Sequence, residues 1–146
     1  MTAFVPQGTL NRLRCSIVVP QTPYLSITAP YMGKSFAKVT FGSSFGELIP
    51  TATGGVTSPE PYVMSTVTVG LLRTQSLSSS WLEQSQLLCD IGAFVVYPDS
   101  SNFPFMTFQN GIINDIDPGA FDGTDPVFKL TLKGIFYANS TLWASS

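Results

Sequence analysis

The spacing of apolar residues predicts one amphipathic helix, at residues 76–90 (SLSSSWLEQSQLLCD), with its regular part at about 78–90. One face at the 3.6-residue period carries Leu77, Trp81 and Leu88, with Gln84, Leu87 and Ile91 beside them. Ser80 and Glu83 have the spacing of a capping box, and Ser78 or Ser79 would serve as alternative caps. About four helical turns are marginal in isolation, so we expect the helix to pack on a sheet through Trp81 and Leu88.

Alternation of apolar and polar residues predicts strands on both sides of this helix. The clearest are residues 62–72 (YVMSTVTVGLL) and 127–138 (VFKLTLKGIFYA), with AFVVY at 93–97 directly after the helix. Shorter strands are predicted at 13–19, 24–28 and 35–41, the last with or without a bulge. In 127–138, Lys129 and Lys133 face away from an apolar row that Gly134 interrupts, which indicates a bend or a close backbone approach.

A hairpin is predicted around Asn110-Gly111, which separates the apolar runs 103–109 and 112–116. Asn-Gly is favoured in type I′ turns because both central residues need positive φ.

Residues 42–61 are rich in glycine and proline and predict a long irregular connection, with at most a short element at 45–49. Apolar residues within it argue against a solvated linker. We therefore interpret 42–61 as an inter-subunit arm or loop within a single domain that spans residues 1–146. The predicted interface residues are Phe45, Leu48, Ile49, Val56, Pro59 and Pro61, together with Lys129 and Lys133.

Composition agrees with a chain that is covered by copies of itself. Charged residues make up 11% of the 146, against roughly 25% in typical soluble domains, and the mean hydropathy is +0.24. Residues 1–46 carry bases and no acid, namely Arg12, Arg14, Lys34 and Lys38, whereas residues 90–125 carry aspartates and no base. Chance and turn-forming aspartates explain this gradient, or else it marks a subunit whose opposite ends attract when copies stack.

The sequence lacks the residues that several classes of function require. The chain has no histidine, and it contains no nucleotide-binding or serine-hydrolase motif, so we predict no catalytic, cofactor-binding or metal site and no enzyme. The aspartates of 115–125 do not have EF-hand spacing, and seven scattered bases make no phosphate-binding stripe. Cys15 and Cys89 are expected to be buried free thiols.

Targeting signals are also missing from the pattern. No apolar run approaches the roughly 20 residues of a membrane span, and residues 1–14 lack a signal-peptide pattern, so we expect neither a membrane nor export. Without export the sequon at Asn139 has no consequence.

The order of these parts resembles the tail tube proteins of contractile-tailed bacteriophages over residues 10–138. The stretches that carry the resemblance are GGVTSPEPYV, TVTVGLLRTQSLSSSWLEQ, Asn110-Gly111 and FKLTLKGIFYA. It implies a mainly β (α+β) fold, an antiparallel β-sandwich or barrel-like sheet with one flanking amphipathic helix. It further implies hexameric rings that stack into the virion's tail tube, the conduit for genome ejection, assembled in the host cytoplasm. The implied partners are other copies of the chain, tail sheath and baseplate proteins, and DNA that passes through the lumen without specific binding.

Three alternatives remain open: a single-ring tail-completion or adaptor protein of the same virion, an inner tube like that of type VI secretion, and an exported adhesin or carbohydrate-binding sandwich. For a tube, we expect strands 62–72 and 127–138 to be the leading candidates for joining neighbouring subunits into a barrel. Its bore would be rich in Thr, Ser and Asp, with Lys129 and Lys133 at an interface or paired with acids.

Overall fold

The computed structural model describes residues 7–33 and 37–144, and within them six strands form one antiparallel sheet while two more form a separate hairpin. The elements in chain order are β1 (Ser16–Val18), β2 (Lys38–Phe41), β3 (Gly46–Pro50), β4 (Gly55–Pro59), β5 (Tyr62–Leu72), α1 (Ser76–Leu87), β6 (Asp90–Tyr97), β7 (Met106–Asp117), β8 (Val127–Tyr137) and α2 (Thr141–Ala144). The large sheet has the order β1-β6-β7-β8-β5-β2, and β3 pairs with β4. Short 3₁₀ turns lie at Pro23–Leu25 and Ala29–Tyr31.

The large sheet curls around an apolar core, which confirms the predicted barrel-like, mainly β fold with a flanking helix. Strands β5 and β8 pair over their full lengths, and their alternate residues Val67, Val69, Leu130 and Leu132 are buried on the inner face. Residues 26–33 cross from one side of the sheet to the other, because Ile27 bridges to β1 and Met32 bridges to β5. The chain thereby covers the open side of the curled sheet.

Helix α1 packs on this core through its first half. Leu77 and Trp81 are buried, and the side-chain oxygen of the buried Gln84 accepts a hydrogen bond from the Tyr24 hydroxyl at 3.0 Å. The proposed capping box is absent from the helix start, because Gln75 is the N-cap and the Ser80 hydroxyl donates to the carbonyl of Ser76 one turn back.

The prediction that Leu88 packs on the sheet is wrong. The helix ends at Leu87, and Leu88 has an extended backbone with φ −165°. Its side chain is therefore off the helical face and is 61% exposed.

The predicted Asn110-Gly111 hairpin is also wrong, because β7 runs continuously through these residues. Asn110 has φ +52°, but the pairing with β8 shifts register between Gln109 and Ile112, so the pair forms a β-bulge. A Cβ added at Gly111 would lie 2.5 Å from the carbonyl oxygen of Gly92 on β6. Tight packing between two neighbouring strands thus explains the glycine, and the turn between β6 and β7 lies instead at residues 98–105.

Smaller differences arise at chain ends and prolines. The strand predicted at 13–19 is reduced to β1, the 24–28 segment begins in a 3₁₀ turn that Pro23 initiates, and the 35–41 strand is seen as β2, with residues 34–36 outside the described part. The close approach predicted at Gly134 is confirmed, since a Cβ there would lie 2.9 Å from Cβ of Phe108. Cys15 is buried as expected, but Cys89 is exposed because it lies just beyond the end of α1.

Candidate assembly surfaces

The first candidate surface is the β3–β4 hairpin, called the arm below, which occupies residues 46–59 of the segment predicted to be irregular. Every residue of β3 is exposed, and nearly all of β4 is too. Leu48 is 71% exposed, Ile49 47% and Val56 55%. An isolated two-stranded hairpin is at best marginally stable in water, so the uncovered apolar residues make the arm a candidate contact surface.

The arm has two distinct faces. Ile49 lies directly opposite Val56, and Glu47 lies opposite Ser58, so these four side chains share one face. Leu48 is on the other face, where a Cβ added at Gly55 would come within 2.9 Å of its Cδ1. The Leu48 side chain therefore lies beside Gly55 of its own hairpin, and Ile49 and Val56 lie next to each other on the opposite face; all three side chains are exposed.

Asn139 fixes the base of the arm. Its side-chain amide nitrogen donates to the carbonyl oxygens of Phe45 at 2.9 Å and Glu60 at 2.7 Å, and Glu60 N–H also donates to Phe45 O at 3.0 Å. Asn139 has φ +49°, a conformation that asparagine tolerates better than most residues. The sequence alone did not predict this role, because the only local motif at Asn139 is the glycosylation sequon.

Aromatic and C-terminal contacts strengthen the same base. The Phe45 ring lies 5.1 Å from Phe41 and 6.2 Å from Phe136, measured between centroids. The Pro61 carbonyl accepts hydrogen bonds from Ala138 N–H at 3.2 Å and from Trp143 Nε1 at 3.4 Å. Phe45 and Pro61 therefore anchor the arm to its own subunit, while Leu48, Ile49, Val56 and Pro59 lie on the part that projects.

The second candidate surface is the outer face of the large sheet, opposite the core. Threonines run along its middle, where Thr40 lies beside Thr66 and Thr68 lies beside Thr131. Lys129 lies across from Asp117, and Lys133 lies between Thr66 and Ile112. Both lysines are thus on the sheet face and not on the arm, so the structure places the predicted interface residues on two separate surfaces.

The outer face is close to electrically balanced. Following the strand register, its charged residues are Lys38, Lys129 and Lys133 and the acids Asp90, Asp115 and Asp117. The end nearest the arm is apolar instead, because Tyr62 pairs with Tyr137 and Met64 pairs with Ile135.

Arg73 organises the loop between β7 and β8, a role that the sequence did not reveal. Its guanidinium donates to the carbonyl oxygens of Pro118 at 2.5 Å, Ala120 at 2.7 Å and Asp125, and lies 4.9 Å from the Phe121 ring centroid. In the same loop, hydrogen bonds from the Thr124 hydroxyl and backbone N–H lower the pKa of Asp122. The aspartates here serve the backbone, as their turn-forming chemistry predicts; in the described ranges no three metal-binding side chains cluster.

Comparisons with known proteins place this architecture among tail structures. No protein-family model and no curated protein matches the sequence. A chain from the tail of an empty gene transfer agent particle, computed by helical refinement with C6 symmetry, is similar with a TM-score of 0.56 and 10% identity, over 87% of this chain and 96% of that one. A chain from the native gene transfer agent virion gives 0.53 and 10%, over 87% and 95%.

A third similar structure terminates a tube. A chain of the anti-feeding prophage cap gives a TM-score of 0.50 and 14% identity, over 94% of this chain and 97% of that one. The chain therefore has the fold of a phage tail tube-like protein.

Proposed function

We propose that this protein is a structural subunit of a phage-type tail, in which hexameric rings stack into a tube that conducts the genome. The observation that carries the proposal is the arm, which pairs outside the large sheet and leaves Ile49 and Val56 exposed. The C6 symmetry of the similar gene transfer agent tail supports rings of six. A head-to-tail contact that does not close on itself generates stacked or helical assemblies, and an arm whose strands are exposed among the described residues suits that contact.

The outer face of the large sheet is the proposed lining of the bore. Strands β5 and β8 are paired on both sides, so they can supply this lining but not the strand-to-strand contact between subunits. Within the described residues, β1 and β2 form the edges of the large sheet and are the strands left for that contact. Three lysines facing three aspartates leave little net charge to hold phosphates, so DNA would pass without being retained.

Electron microscopy of the purified protein tests the proposal. We expect long tubes with a central channel, and we expect Ile49→Asp combined with Val56→Asp to abolish them while the monomer keeps its melting temperature. Gln86→Asp, on the exposed side of α1, is the matched control and should assemble normally. Dispersed monomers at all concentrations, or tubes that form despite the arm substitutions, would refute the proposal.

DNA retention tests the proposed bore separately. Wild-type tubes should hold little DNA, whereas Asp115→Lys with Asp117→Lys should give binding that weakens as salt rises. Equal retention by both would mean that the sheet face does not line the channel.

A second candidate function is a single ring that ends or adapts the tail. The likeness to the tube-terminating cap of the anti-feeding prophage, which covers 94% of this chain, favours it. Isolated rings in place of tubes would identify this function. In either case we propose a location in the virion tail and no catalytic role; sheath and baseplate contacts would follow if the tail is contractile.

A further inference from the structure

A cavity of about 580 Å³ opens at the seam where the two sides of the curled sheet approach each other. Residues ahead of β1, the start of β2 and the β6–β7 connection surround it. Its apolar walls include Val39, Val96, Phe103 and Met106, and Arg12 and Asp99 are the charged residues that line it. Below, this space is called the seam cavity.

The lining of the seam cavity is mostly apolar and carries one base and one acid. Leu10 and Phe103 are exposed large hydrophobic residues in its lining, and Arg12 in the lining is exposed, as is Arg14 two residues further along the chain. On the side of β1, residues 7–33 contain these two arginines and no acid. Asp99 is the acid in the lining, and its carbonyl oxygen accepts a hydrogen bond from the N–H of Asn11, the residue before Arg12, at 2.9 Å.

The arm has the complementary composition. Residues 46–59 contain Glu47 and no base. Glu47 lies on the same face as the exposed Ile49 and Val56. One acid beside two branched apolar side chains matches an apolar cavity with an arginine among its lining residues.

We propose that the seam cavity receives the arm of a second copy of this chain, with Ile49 and Val56 inside it and Glu47 of the second copy beside Arg12. This inference rests on the proposed function and assigns its acceptor site. The subunit's own arm is exposed along β3 and β4, so it does not occupy its own cavity. Because each copy carries both the arm and the cavity, the contact is head-to-tail and repeats from subunit to subunit.

A reciprocal charge exchange tests the pairing. Arg12→Glu alone and Glu47→Arg alone should each raise the concentration needed for assembly about tenfold, because like charges then meet at the cavity. The combined variant should restore assembly to near the wild-type concentration. Sedimentation of the polymer at low salt measures this, since salt screens exposed charge pairs.

Matched controls use the neighbouring charges. Arg14→Glu and Glu60→Arg reverse one charge each but lie outside the proposed pair, so their combination should give no specific rescue. Failure of the Arg12→Glu and Glu47→Arg combination to restore assembly, while wild-type protein still forms tubes, would overturn the acceptor site and leave the proposed function standing. Absence of any wild-type assembly would overturn both.

A disulfide provides an independent test if Arg12→Glu lowers the melting temperature. Cys15 lines the seam cavity, so Ile49→Cys in a Cys89→Ser background should give covalent ladders when assembled protein is oxidised. The ladders should vanish when Cys15→Ser is added. Ladders that persist without Cys15, or assembled protein that yields none, would contradict the proposed contact.

Discussion

Replacing Asn139 measures how firmly one side chain holds the base of the arm. Asn139→Ala removes two hydrogen bonds, to Phe45 O at 2.9 Å and Glu60 O at 2.7 Å. Each is worth about 0.5–1.5 kcal/mol, and we take the low end because Asn139 is exposed. Alanine at φ +49° adds about 1–2 kcal/mol of backbone strain. The expected cost to the arm is therefore about 2–3 kcal/mol.

Two further substitutions separate these contributions. Asn139→Gly loses the same hydrogen bonds but tolerates positive φ, so it should cost only about 1 kcal/mol. Asn139→Asp keeps the size of the side chain but turns a carboxylate towards two carbonyl oxygens. It should therefore destabilise the arm more than glycine does, although asparagine and aspartate both tolerate this backbone conformation.

Hydrogen exchange of the β3 and β4 amides is the appropriate assay, because it measures local opening of the arm. A cost of about 1.4 kcal/mol corresponds to a tenfold increase in exchange, so Asn139→Ala should exchange at least tenfold faster there. Amides in the β5–β8 pairing should change much less. Equal exchange for the alanine and glycine variants would refute the strain argument. Unchanged arm exchange in both would mean that the two Asn139 hydrogen bonds, called the Asn139 clamp below, do not hold the arm.

The remaining predictions concern the core and the thiols. Trp81→Ala should cost about 3–5 kcal/mol in urea unfolding, whereas Trp81→Phe should cost clearly less, because among the described residues the buried Trp81 Nε1 has no hydrogen-bond partner; equal losses would contradict this. Gly111→Ala should lower stability by about 1–3 kcal/mol through its backbone clash, with Asn110→Gly within about 0.5 kcal/mol as the control; a neutral Gly111→Ala would mean the bulge relaxes. Burial raises the pKa of the Cys15 thiol, partly offset by a backbone hydrogen bond with Ala37, so less reactive thiolate is present at a given pH. A thiol reagent should modify the exposed Cys89 much faster than the buried Cys15 in folded protein; equal rates would contradict the buried position.

The long strands and the helix could be predicted from the sequence because their apolar patterns are regular. The alternation of 62–72 and 127–138 predicted β5 and β8 closely, because each strand has one face on the core and the two pair with each other over their full lengths. The helix was predicted, but its end was not. The apolar spacing continues through Leu87 and Leu88, so it does not indicate that the helix ends at Leu87.

The turn preference of Asn110-Gly111 gave a wrong prediction, because the strands on both sides determine the structure there. Asn110 does take positive φ, as an Asn-Gly turn requires, yet the same conformation serves a bulge when β6 and β8 pair on both sides. Strand β4 was missed because Gly55 and Pro59 are poor strand formers, and its pairing depends on β3 and on the Asn139 clamp. The interface roles of the arm residues and of Lys129 and Lys133 remain predictions.

The position of Asn139 along the chain bears on the order of events during synthesis. Asn139 follows Phe45 by 94 residues and Glu60 by 79, so a ribosome completes the arm long before it makes the clamp. The clamp arrives directly after β8, a central strand of the large sheet. A chain that stops short of β8 therefore lacks both the strand that joins β7 to β5 and a fixed arm, and truncated products carry no rigid arm with which to enter a growing polymer.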